Sequence, residues 1–184
     1  EVLLLLCQGA GMRGVSRATG VSVNTAAKLL ADAGAVCAQL GAELVCGLRL
    51  DRVDCYKPWS RDCGAEAGVW TWSAVAAESD LVVAFRVGGL DAATAGGFLD
   101  EIARRTGTAS PRLSDDAVAG LCDGAPFGLN LKLGRITEAG EAFAGIAKRI
   151  QTRRFTRLRN AYSKRIETFS HMVALYTFWI NFMK

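Results

Sequence analysis

The chain has 184 residues, with 22 Lys+Arg against 18 Asp+Glu for a formal net charge of +4, and a hydrophobic share of 51%. That length suffices for one well-cored domain, or for a small domain beside a compact larger one. The apolar share, with only three prolines, excludes a disordered tail, a collagen-like repeat and a Pro-rich linker protein.

The first elements are helical. Leu3, Leu4, Leu5 and Leu6 lead into Gly9, and Met12 to Thr19 forms a short segment with Val15 and Ala18 inward. Gly20 breaks it. Ser22 is placed to N-cap a second helix running through Asn24, Thr25, Ala26, Lys28, Leu29 and Leu30 to Gly34. Two short helices joined by a Gly-containing turn have the outline of a helix-turn-helix, whose second helix enters the DNA major groove by its N-terminal end. Short hydrogen-bonding side chains are needed there, and Ser22, Asn24, Thr25 and Lys28 supply them, with Arg13 and Arg17 on the preceding helix in reach of phosphates. An ordinary helical hairpin with solvated polar residues fits the pattern equally well.

Beyond Gly47 the period changes. Leu48, Leu50 and Val53 give way to a turn-like stretch from Pro58 to Gly68, and Val69 to Val75 reads as a strand. Glu78-Ser79-Asp80 is a turn and Leu81 to Val87 the returning strand of a hairpin, ended by Gly88-Gly89. Asp91 caps a helix through Ala95, Phe98, Leu99 and Ile102 that closes on Arg104-Arg105 and Gly107. Arg112 to Ser114 is a short strand leading to Asp115-Asp116. Neither Gly88-Gly89 nor Gly9-Ala10-Gly11 makes a phosphate loop, since the first lacks the Lys-Ser/Thr and the second follows no strand.

From Glu141 onward the chain reads as helix. Phe155, Leu158, Tyr162, Ile166 and Phe169 recur at steps of three or four and make one apolar face. The stretch from Lys148 to Arg165 holds eight Lys/Arg and no acid. Its Arg153, Arg154, Arg157, Arg159, Lys164 and Arg165 form a cationic surface suited to DNA phosphates; a solvated helix face and a membrane-surface helix are the alternatives. Val173, Leu175, Tyr176, Trp179 and Phe182 are suited to packing on the sheet, and His171 to packing rather than catalysis.

The six cysteines form no Cys-x-x-Cys pair, so no zinc motif is present, and they read as reduced thiols, mostly small core residues. Neither Val2 to Leu6 nor Met172 to Met183 reaches the ~20 apolar residues of a membrane span. The expectation is a cytoplasmic protein with no membrane partner.

Three blocks together resemble a known family. They are Met12 to Leu30 (MRGVSRATGVSVNTAAKLL), the Val69-Trp70-Thr71-Trp72 strand, and Arg153-Arg154-Phe155-Thr156-Arg157-Leu158 with His171-Met172-Val173-Ala174-Leu175-Tyr176. The chain resembles transposases of the insertion-sequence family one type, acidic-triad (DDE) enzymes. The resemblance implies an α+β protein, with a helix-turn-helix DNA-binding domain over 1–47 and a truncated ribonuclease-H-like mixed sheet with flanking helices over 48–184. The order of three strands, a helix and a fourth strand suits such a sheet. Also implied are double-stranded DNA as partner and strand cleavage and transfer dependent on Mg²⁺ (or Mn²⁺), and a homo-oligomer is compatible with it.

In the family's terms Leu113-Ser114-Asp115-Asp116-Ala117 matches the motif of the second acid, so Asp116 inherits a catalytic, metal-holding role. Where the family carries Asp-Glu just before Trp-Ser, this chain has Tyr56 and Lys57 before Trp59-Ser60. A phenol and an ammonium do not replace a metal-binding carboxylate, and Asp54, two residues earlier on the same strand face, is the substitute. The third acid's position falls on Ala142, with Glu141 adjacent and one residue out of register. Three readings follow: a transposase with impaired strand cleavage, an inactive remnant that still binds DNA, and a helical interaction module that does not.

Overall fold

The computed structural model describes residues 1–50, 53–56, 59–60, 69–76, 79–107 and 165–183, with the backbone alone at positions 54, 56, 59 and 60. The fold is α+β. In chain order it runs α1 (Val2–Cys7), α2 (Met12–Thr19), α3 (Val23–Leu44), β1 (Val53–Tyr56), β2 (Trp59–Ser60), β3 (Val69–Ala76), β4 (Val82–Gly88), α4 (Ala92–Thr106) and α5 (Ile166–Phe182).

Local chemistry sets most of these boundaries. Gly20 ends α2 in the left-handed region (φ 72°), a conformation open to glycine at no steric cost. The Ser22 hydroxyl caps α3 by accepting the Thr25 N–H at 3.0 Å. Asp91 caps α4 in the same way at 2.8 Å, and Gly107 (φ 65°) closes it. The β3–β4 turn bends at Asp80 (φ 55°), a residue type that tolerates this region.

Two helical expectations need correction. Ala18 is exposed, because the inward stripe of α2 runs through buried Val15 with half-buried Met12 and Thr19 beside it, and Ala18 lies off it. And α3 does not stop at Gly34 but continues to Leu44. Gly34 is there for proximity: a Cβ on it would lie 2.5 Å from the His171 Cβ and 2.6 Å from the His171 carbonyl oxygen. The missing side chain lets α5 lie directly on α3.

The sheet is antiparallel throughout. β3 pairs with β1 (Val53 opposite Ala76, Tyr56 opposite Ser73) and β2 (Trp59 opposite Trp70) along one edge, and with β4 along the other, with a register shift between Ala74 and Val75. On one face, Phe98, Leu99 and Ile102 of α4 pack on Cys55, Trp72, Ala74 and Ala84, with the Trp72 and Phe98 rings 5.9 Å apart. On the other, Val69 packs against Phe169 and Val173 of α5.

A separate core joins the two ends of the described chain. Leu6, Cys7, Val15, Ala26 and Leu30 close on Met172, Leu175 and Tyr176. Sheet packing was expected for the apolar residues of α5, but only the side bearing Phe169 and Val173 meets the sheet. Leu175, Tyr176 and Trp179 turn to the first three helices instead. Each such side chain, fully buried, contributes about 1.5–3 kcal/mol, so α1–α3 depend on a helix more than a hundred residues away. α5 runs in the same direction as α3, with His171 against Gly34 and Asn181 in one crevice with Val45.

Two polar side chains tie the layers. Asn181 donates its Nδ2–H to the Val82 carbonyl (2.9 Å) and accepts the Val82 N–H at Oδ1 (3.0 Å), filling the outer edge of β4. Arg105, 7% exposed, donates to the Gly41 carbonyl of α3 (3.1 Å), the Val83 carbonyl of β4 (2.8 Å) and Glu101 of its own helix (2.6 Å). Of the cysteines described, Cys7 and Cys55 are buried and Cys37 half-buried, whereas Cys46 is exposed rather than in the core. Burial, and then the neighbouring Cys37, push the Cys7 thiol up to about 11, which makes it an inert packing group. No helix among the described residues is long and apolar enough to cross a membrane.

Candidate nucleic-acid interface

The sequence-expected binding residues Arg13, Arg17, Ser22, Asn24, Thr25 and Lys28 are all exposed, and they come from two consecutive helices joined at Gly20–Ser22. Val15 and Ala26, both fully buried, pin α2 against the start of α3 in the shared core. The turn between the helices is internally bonded. The Gly20 N–H donates to the Ser16 carbonyl, the Thr19 hydroxyl to the Val15 carbonyl at 2.8 Å, and the Val21 N–H to the Thr19 hydroxyl at 3.3 Å.

The polar residues at the start of α3 divide into two roles. The Ser22 and Thr25 hydroxyls lie 2.8 Å apart and hydrogen-bond each other while Ser22 caps the helix, so their first task is to fix where α3 begins. Asn24 and Lys28, four residues apart, share a face and present their head groups to solvent. Arg13 and Arg17 repeat that spacing on α2. In the first 31 residues the acids number one, Glu1, so the unit carries a local positive field. The orphan N–H groups at the start of α3 add the positive end of a helix dipole.

Of the acidic set only the backbone of Asp54 is among the described residues. Asp116 and Glu141 lie outside the described residues, as do Arg153, Arg154 and Arg157 and the Arg112–Ser114 strand. Asp54 lies on β1 opposite Val75, and Tyr56 opposite Ser73. Among the described residues no group of three or more His, Cys, Asp or Glu is placed to hold a metal.

Arg105 was read from the sequence as one of two basic residues closing α4, and only its neighbour Arg104, 56% exposed at the side chain, behaves that way. Spacing gave no signal for the burial of Arg105: it follows from the meeting of α3, α4 and β4 around it. Burial works to raise the Glu101 carboxyl, but hydrogen bonds and charge from Arg104 and Arg105 outweigh it and hold Glu101 below the usual carboxylate range.

Compared with known protein families, curated proteins and solved structures, the chain yields no match.

Proposed function

We propose that this chain is a transposase-type DNA-binding protein, with α2, the Gly20–Ser22 turn and α3 acting as a helix-turn-helix. The observation that carries the reading is the exposed set Ser22, Asn24, Thr25 and Lys28 at the start of a capped helix, flanked by the exposed Arg13 and Arg17 on the helix before it. Asn24 and Lys28 read base edges, and Arg13 and Arg17 bind phosphates. Binding to a duplex should weaken steeply with salt. Asn24→Ala should cost about 1–3 kcal/mol and relax sequence preference. Arg13→Ala or Arg17→Ala should weaken all duplexes alike and flatten the salt dependence by about one unit of slope. No binding to any duplex at low salt would reject the reading.

The three antiparallel strand ladders followed by α4 also support a ribonuclease-H-like second part, since that fold opens on such a meander. In this reading Asp116, with Asp54 and Glu141, would hold Mg²⁺ or Mn²⁺, which supplies charge neutralisation at the scissile phosphate. Nicking of supercoiled plasmid with either metal, lost in Asp116→Asn, is the result expected of a retained acidic site. A folded, DNA-binding protein that does not nick would leave binding as the function.

A further inference from the structure

The cap of α3 also decides which part of Thr25 is left for a partner. The Thr25 N–H donates to the Ser22 hydroxyl at 3.0 Å, and the two hydroxyls hydrogen-bond each other at 2.8 Å. That contact turns the Thr25 Oγ1 back toward the helix terminus. Staggering at Cβ then sets the Cγ2 methyl about 120° away from it. Thr25 is an exposed residue, so what it offers an approaching molecule is a methyl group.

Its neighbours differ. Among the described residues the Asn24 amide and the Lys28 ammonium, both exposed, have no partner and are open to new hydrogen bonds. The three side chains share a face. At about 100° per residue Lys28 falls between Asn24 and Thr25 within an arc of about 100°, one turn further along the helix. Their Cβ atoms tilt toward the N-terminal end, which is the end that leads a recognition helix into the major groove.

In that groove the apolar group on a base edge is the 5-methyl of thymine, while the other edges present donors and acceptors. On the helix-turn-helix reading, which it requires, we propose that Thr25 reads a thymine by contact between the two methyl groups. The leading turn of α3 is then directed to an A·T-containing site, with the Asn24 amide on the N6 and N7 of an adenine beside that thymine. A hydroxyl contact from Thr25 to a base would displace its bond to Ser22, exchanging one hydrogen bond for another with little net gain. The methyl contact keeps the cap whole and removes apolar surface of both partners from water. The two branches of Thr25 thus have separate tasks, and the hydrogen bonding expected of it at the groove falls to Asn24 and Lys28.

The test uses the full chain and takes the two branches apart. Selection from short duplexes with a randomised centre gives the preferred sequence. Fluorescence anisotropy then compares that duplex with copies in which each thymine in turn is replaced by deoxyuridine, which pairs alike but lacks the methyl. One replacement should weaken wild type about fourfold, the worth of one buried methyl group. Thr25→Ser keeps the hydroxyl and loses the methyl; it should bind the thymine and uracil duplexes equally, with far-UV circular dichroism unchanged. Thr25→Val keeps a methyl and loses the hydroxyl; it should still distinguish the two duplexes, with a lower urea midpoint from the weakened cap. Wild type indifferent to every replacement, a Thr25→Ser that still discriminates, or a Thr25→Val that does not, overturns the thymine assignment and leaves the helix-turn-helix reading standing. Binding at low salt with no sequence enriched does the same. No binding to any duplex overturns both.

Discussion

Gly34 and Gly14 look alike in the sequence, each a glycine within a helical stretch, and they should respond to substitution with opposite signs. A side chain at Gly34 would strike the backbone of His171, so Gly34→Val should separate α3 from α5 and cost about 1–3 kcal/mol, as overpacking does. Nothing lies within 4 Å of a Cβ at Gly14, so Gly14→Ala should add up to about 1 kcal/mol through helix propensity. Urea denaturation of the two variants reads both signs at once. Ser22→Ala, which removes the cap on α3, should cost about 1 kcal/mol. Under the proposed DNA-binding reading that loss would reach affinity only indirectly, and stability measured alongside binding separates it from the effect of Asn24→Ala. Capping residues such as Ser22 and Asp91 were legible in the sequence because their partners lie three positions away. Gly34 was not, because the atoms that require it lie on a helix far along the chain.

At the level of elements, α4 is held less by its ends than by Arg105. Arg105→Met would leave the Gly41 and Val83 carbonyls and the Glu101 carboxylate without this donor. Allowing for the partial exposure of Glu101, the expected loss is about 2–3 kcal/mol, read from the urea midpoint at pH 7. The same contact has a pH signature. Glu101 is held below its ordinary value of 4.5, so its contribution is complete above 4.5 and lost as pH falls through the lower folded value. Wild type should therefore lose stability on that acid side, and Arg105→Met should show a smaller change over the same interval. Element identities were largely readable. The hairpin turn at Ser79–Asp80 and the closure of α4 at Gly107 follow from turn and cap chemistry. The extent of α3 did not, because a glycine that breaks an isolated helix is harmless in one packed along its length.

Across the whole molecule, α5 decides how the parts depend on one another. It is the common wall of the sheet-side cluster around Val69 and the helical core around Leu30. Met172→Ala should destabilise by about 2–5 kcal/mol, with the helical signal and tryptophan fluorescence of the sheet lost in a single transition. Two separate transitions would show that the two cores unfold independently. This dependence was hidden in the sequence, where the apolar character of Val173 to Phe182 was plain but its division between two partners was not. The candidate acidic site rests on resemblance alone, since its members are scattered in sequence, no local period joins them, and Asp116 and Glu141 lie outside the described residues.

The amide of Asn181 occupies the place on β4 that a neighbouring strand would take. Because that plug is carried by the last turn of α5, loosening the helix end uncovers the Val82 N–H and carbonyl beside the exposed Phe182 and Met183. An uncovered strand edge next to apolar side chains is a template for intermolecular strand addition. The step that starts aggregation is then local fraying at the helix terminus rather than global unfolding. Asn181→Leu should accordingly aggregate on mild warming, well below the temperature at which the helical signal melts.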